Sequence, residues 1–201
     1  MGLMHSVLHD NVDRIRNKRI VGGRLTHPSL AEWTWDKAID MVDTHQHDNY
    51  DWNRQKQRLG LNQFHHRGSA PAFAKEIVED MQKFFIDDHI NLPDSILRKE
   101  EYIKGPQQIT NIAFCGFGQF SGSYPRHKDS MDVLLVQVLN ECKITIGPTE
   151  EPNEDEDTVI NMQPGHFVWI PRGTWHQLEP TVSRVTFSFG VEGDADPKDY
   201  I

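Results

Sequence analysis

The run Gly165-His-Phe-Val-Trp-Ile-Pro171-Arg-Gly173-Thr-Trp-His176 constrains this chain more than any other segment. Gly165 opens a short apolar strand out of a turn, residues 167–170 fill it, and Pro171 with Gly173 forces a reversal that presents His176. Upstream stands His127-Lys128-Asp129. On a strand the side-chain period is 2, so His127 and Asp129 point to one face. Two imidazoles and one carboxylate make a facial triad, which fills three positions of an octahedral metal and leaves the opposite face open. That set suits non-heme Fe(II) and oxygen chemistry better than structural zinc, which prefers four closed ligands with thiolates. A His-x-Asp pair alone is a weak signal among 11 histidines. The glycine–proline–glycine–histidine spacing is what makes the pattern specific.

Residues 165–176 resemble the second sequence motif of the cupins, the double-stranded β-helix barrels. The first half departs from the simple cupin pattern of His-x-His and a later Glu. Instead, His127-Lys-Asp129-Ser-Met-Asp132-Val133-Leu-Leu-Val-Gln137 resembles the JmjC-type 2-oxoglutarate oxygenases, closest to their ribosomal-oxygenase branch. That branch shows His-x-Asp-x-x-Asp/Glu-Val, followed a few residues later by Gln. Ser188-Phe189-Gly190 matches its Ser-x-Gly strand, and Ala113-Phe-Cys-Gly-Phe-Gly-Gln-Phe-Ser-Gly122 resembles its small-residue loop. The resemblance spans residues 107–192, under half of the chain.

The resemblance implies that His127, Asp129 and His176 bind Fe(II) and that 2-oxoglutarate is the cosubstrate. It implies hydroxylation of a substrate C–H bond. The far carboxylate of 2-oxoglutarate should meet a charged donor inside the barrel. The family's basic position falls on Cys142, with Lys143 one residue late, and a one-residue slip moves a side chain to the other face of a strand. Arg184 is a second candidate, sharing a strand face with Thr186 and Ser188. Tyr124, three residues before His127, could donate its hydroxyl to the same carboxylate. Asp132 is expected to organise the surroundings of the metal rather than ligate it. Two other readings stay open. One is a metal-dependent cupin that does not use 2-oxoglutarate, such as a small-molecule dioxygenase or isomerase. The other is a non-catalytic, ligand-binding barrel.

At 201 residues the chain reads as one domain. Residues 1–105 would give helical and irregular support, 106–192 the double-stranded β-helix, and 193–201 a tail. No stretch is long and apolar enough to span a membrane, and the N-terminus lacks the pattern of a secretory signal. Cys115 and Cys142 are too few for a disulfide framework, which points to a reducing, cytoplasmic setting. A formal charge of −9 argues against nucleic acid held by a general surface field. It leaves room for a small molecule or a basic protein substrate. Much of the acidity sits at 150–157, expected to be a solvated loop prone to disorder. Pairing of two copies through N-terminal segments, a homodimer, is a further expectation from the resemblance.

Hydrophobic periodicity predicts helices over 29–45, 70–88 and 95–102, with a short strand in 19–25 and a loop over 46–60. The apolar stripe of 70–88 (Phe73, Ile77, Met81, Phe84, Phe85) should pack on the outside of the barrel. Strands are predicted at 108–114, 124–138, 142–147, 158–162, 166–170 and 182–191. Helices first and strands after give an α+β order. His45, His47, His65 and His66 read as solvated loop histidines rather than a second metal site, and Arg126 and Lys128 as outward-facing neighbours of the first ligand.

Overall fold

A computed structural model describes residues 3–44, 63–66, 72–87, 109–116 and 123–191. The loop expected at 46–60, the helix expected at 95–102, and the pair His45 and His47 lie outside the described residues. The helices are α1 (Leu3–Asp10), α2 (Val12–Arg16), α3 (Pro28–Ala31), α4 (Trp35–Thr44) and α5 (Ala72–Asp87). The strands are β1 (Val21–Arg24), β2 (Gln63–His66), β3 (Ile109–Gly116), β4 (Asp132–Leu139), β5 (Cys142–Gly147), β6 (Thr158–Met162), β7 (His166–Ile170), β8 (Trp175–Glu179) and β9 (Arg184–Val191). Six of them form one antiparallel sheet in the order β1-β7-β4-β9-β3-β2, and three form another in the order β6-β5-β8. No described helix is long and apolar enough to cross a membrane.

The larger sheet is covered on both faces, which explains why β4 reads as a near-continuous apolar run rather than an alternation. Leu134, Val136 and Val138 face the helices, in one cluster with Phe73, Ile77, Met81 and Phe84 of α5. Val133 and Leu135 face the smaller sheet, in a second cluster with Ile144, Ile146, Met162 and Leu178. The two sheets therefore pack face to face, with the helices on the outer side of the larger one. On β9 the partition follows chemistry. Val185, Phe187, Phe189 and Val191 join the helix cluster, while the opposite face carries Arg184, Thr186 and Ser188. Phe187, Phe73 and Trp33 meet edge to face, with ring centroids 4.8–5.5 Å apart. The α5 stripe thus packs outside the sheets, as its periodicity predicts.

Local chemistry corrects several boundaries. The helix expected over 29–45 is two, because the Thr34 side chain accepts the Lys37 N–H at 3.4 Å and starts α4 afresh. The preceding α3 starts on Pro28, with the His27 ring accepting the Ser29 N–H. Helices α1 and α2 were not foreseen. Helix α1 is held from a distance, since the Asp80 carboxylate of α5 accepts the N–H groups of Met4 and His5. His65 and His66, expected in a loop, lie on β2. Strand β8 was also not foreseen, although its alternating burial is plain once the turn before it is placed.

Residues 150–157, expected to be a solvated loop prone to disorder, form a hydrogen-bonded turn between β5 and β6. The Asn153 carbonyl accepts the N–H groups of Glu156 and Asp157, and its side chain accepts that of Asp155. Glu150, Glu151, Glu154, Asp155 and Glu156 point to solvent, as their charge demands, while Asp157 turns inward.

Candidate metal centre

The strand expected over 124–138 begins only at Asp132. Pro125 has no N–H for a ladder, and residues 123–131 leave the sheet. His127 keeps a single bridge, to His176 at the start of β8: its N–H donates to the His176 carbonyl at 3.0 Å, and the reverse bond is 2.8 Å. Asp129 is fixed through its backbone, its carbonyl accepting the Gly173 N–H at 2.9 Å. Gly173 has φ +76°, a conformation in which other L-residues are strained. The Pro171–Gly173 turn therefore does more than reverse the chain. It grips the segment bearing the other two candidate ligands.

The three side chains converge. His127 Nε2 lies 3.7 Å from Asp129 Oδ1, and His176 Nε2 lies 3.4 Å from Asp129 Oδ2. Potential donor atoms of all three fall within 4.8 Å of one another. Donors about 2.1 Å from a common ion, at right angles, sit about 3 Å apart, so an inward movement of these side chains would bring them to a shared ion. The far ring nitrogens settle the tautomers. His127 Nδ1 is 2.8 Å from the Pro125 carbonyl, and His176 Nδ1 is 3.0 Å from the Thr174 carbonyl. A carbonyl can only accept, so both Nδ1 atoms carry protons and each neutral ring turns an Nε2 lone pair inward. Three electron-rich groups then face one another, an arrangement that a cation reconciles. The donor set fits a divalent metal.

The electrostatics agree. Burial lowers the pKa of the His127 imidazole, with the nearby His176 adding to the effect and Asp129 opposing it, which favours the neutral ligand form. Burial pushes the Asp129 carboxyl up, but when the imidazoles take up a second proton the hydrogen bond from His176 and the charges of His176 and His127 outweigh it and hold the group below its usual value, the part that a cation would play between neutral rings. His176 is buried at 4% side-chain exposure, whereas His127 and Asp129 are about one third exposed, so the approach lies on their side. The Asp132 carboxylate accepts the Arg172 N–H at 2.8 Å and anchors the turn to β4. It is not among the three converging donors.

The remaining candidates divide between locations. Arg184 is 1% exposed, on the β9 face turned toward the smaller sheet, and its Nη1 donates to the Thr186 hydroxyl at 3.3 Å. Its charge acts on the neighbouring Cys142 thiol, whose pKa burial nevertheless raises. Ser188 is half-buried on the same face, opposite Leu135 of β4. Tyr124 rests beside the metal end, its ring 5.5 Å from that of His127. Lys143 is elsewhere. It alternates outward from the buried Cys142 and Ile144, and pairs with Glu179 at 2.9 Å on the solvent side of β5. That placement does not suit a carboxylate partner between the sheets, and the physical reason is the strand period. Arg126, expected to face outward, is buried against Asp157. Lys128 lies over the Trp175 ring at 5.5 Å. Sequence reasoning missed the Arg126–Asp157 pair and the Gln137–Thr186 bond, since each joins residues far apart with no local signal.

No family model matches this chain, and no curated protein does. Among solved structures, YcfD, a ribosomal oxygenase from Escherichia coli, is similar at 17% identity with a TM-score of 0.56. The match covers 96% of this chain and 52% of that one, so the chain spans about half the length of YcfD. A second E. coli YcfD structure aligns over 95% of this chain at 15% identity, with a TM-score of 0.54. At such identities the likeness is one of fold: the chain shares the fold of the matched part of YcfD.

Proposed function

We propose that this protein is an Fe(II)- and 2-oxoglutarate-dependent oxygenase, built on a double-stranded β-helix, that hydroxylates a C–H bond, with a protein side chain as one substrate class. The observation that carries the reading is the convergence of two neutral imidazole Nε2 atoms and the Asp129 carboxylate, each imidazole oriented by a backbone carbonyl. Iron(II) held there would supply, with 2-oxoglutarate and dioxygen, the oxidising power to break a C–H bond, succinate and carbon dioxide being the coproducts.

The chain's own residues would have three tasks. His127, Asp129 and His176 would hold the metal on one side, leaving the other side for reactants. Arg184 would neutralise the far carboxylate of 2-oxoglutarate, with Ser188 on the same strand face. Ile146 is the cross-strand partner of His176, and Cys142, beside Arg184, lies four residues earlier on β5. That is about 13 Å along a strand, a span that a metal-bound five-carbon diacid and a long arginine side chain would bridge together. Val133, Leu135, Ile144 and Ile146 would exclude water from the space between the sheets.

Anaerobic protein mixed with Fe(II) and 2-oxoglutarate tests the reading. A visible charge-transfer band, and succinate formation once oxygen is admitted, are expected. Metal binding without any response to 2-oxoglutarate would assign the centre to a cupin enzyme that does not use the diacid. Failure of the Asp129→Ala variant to weaken metal binding would remove the site altogether.

A further inference from the structure

We propose that Arg126 is a positioning residue for the metal centre, and that its buried pair with Asp157 makes the loop between β5 and β6 a determinant of metal affinity. The inference rests on the triad being a metal centre.

The segment bearing His127 and Asp129 is outside the sheets and needs something other than a ladder to fix it. Arg126, immediately before His127, supplies a rigid attachment. Its Nη2 and Nη1 donate to Asp157 Oδ1 and Oδ2 at 2.7 and 3.0 Å, and its Nε donates to the Thr149 carbonyl at 2.9 Å. The two side chains are only 6% and 4% exposed. A bidentate fork of this kind fixes direction as well as distance. Asp157 is itself held, its carboxylate accepting the Asn153 N–H at 3.2 Å.

The pair also lies flat on β5. A Cβ at Gly147 would overlap the Asp157 carboxylate and come within 2.5 Å of Arg126 Nη2. The cross-strand partner of Gly147 is Trp175, the residue before His176. Through this contact the brace is referenced to the strands that carry the third ligand. A buried ion pair contributes little net stability compared with an apolar replacement, so its use here is better explained by placement. Ligands held within about 0.5 Å of the bonding geometry are what a tight metal site needs.

Co(II) serves as a spectroscopic probe, with the visible absorption of the bound ion reporting both affinity and geometry. In Arg126→Lys and Asp157→Asn we expect Co(II) affinity to fall about 10- to 100-fold, with an altered band shape. Glu76→Gln is the control. It replaces the carboxylate partner of His27 by a neutral amide on the helical side, and should leave Co(II) affinity unchanged. Affinities within about twofold of the unaltered protein in both brace variants would overturn the proposal while leaving the metal centre standing. No Co(II) binding by the unaltered protein would overturn both. Should Asp157→Asn fail to fold, Arg126→Lys, which keeps the buried charge, decides alone.

Discussion

The Thr186 hydroxyl donates to the side-chain oxygen of Gln137 at 2.7 Å, across β4 and β9 and 49 positions apart in sequence. Gln137 has no freedom to turn over. Its amide nitrogen donates to the carbonyls of Leu139 and Asn140 at 2.9 Å each, where β4 carries a register shift. With its proton committed to Gln137, Thr186 offers a lone pair to Arg184 Nη1. Gln137 thereby helps to direct the buried guanidinium through the Thr186 hydroxyl.

Replacing Gln137 by Leu keeps the volume but strands these partners, at a cost of about 1–3 kcal/mol for a buried unsatisfied group. Urea unfolding should show the loss as a lower midpoint. Titration with 2-oxoglutarate should show weaker binding, while Co(II) affinity stays at the level of the unaltered protein. Parallel loss of metal and diacid binding would mean that Gln137 only supports the fold.

Lys143 and Arg184 give opposite expectations. Lys143→Ala removes an exposed pair with Glu179, and should change stability by no more than about 0.5 kcal/mol. Its response to 2-oxoglutarate should match the unaltered protein. Arg184→Gln removes the charge inside, and should weaken 2-oxoglutarate by about 2 kcal/mol or more, roughly thirtyfold. A large effect at Lys143 with none at Arg184 would reverse the assignment.

The parts of the fold legible in the sequence are those fixed by local chemistry. Strands β5, β6 and β7 coincide with their expected bounds because turn residues close both ends of each. Helix α5 shows in its apolar period, and the triad shows because Gly165, Pro171 and Gly173 each do one backbone task. What was hidden depends on distant partners. No feature near Met4 announces that Asp80 caps its helix. Nor does the acidic run at 150–157 reveal that its last carboxylate belongs to Arg126. Strand β8 was hidden differently: read for its ligand, His176 concealed the alternation of Leu178 beside it. At Lys143 a charge of the right kind lies one residue away from the useful face, and only the observed register separates it from Arg184.

Asp132 should act through geometry rather than charge. Its Oδ1 accepts the Arg172 N–H, while the Arg172 guanidinium is more distant, 3.7 Å from Oδ2. Asp132→Asn keeps an acceptor oxygen, so it should hold the turn and bind Co(II) nearly as the unaltered protein does. Asp132→Ala frees the turn that carries Gly173 and His176, and should weaken Co(II) about tenfold. Equal losses in both variants would show that the negative charge, rather than the bond to the turn, is what matters.

The Asp157 carboxyl is held below its usual value, first by the hydrogen bonds from Arg126, against the opposing effect of desolvation. The linkage has a definite sign. A carboxyl with a depressed folded pKa adds stability that is fully present above its unfolded value, about 3.9, and is lost as pH falls through the folded pKa. The contribution should therefore be complete at pH 6, begin to fall near pH 4, and fade below that. Other carboxylates titrate in the same window, so the useful quantity is the difference between the unaltered protein and Asp157→Asn. Thermal unfolding of both, followed from pH 6 down to about pH 2.5, should give Tm curves that lie apart at the upper end and converge at the lower. Curves that stay parallel throughout would show that the Asp157 charge does not distinguish the folded chain from the unfolded one.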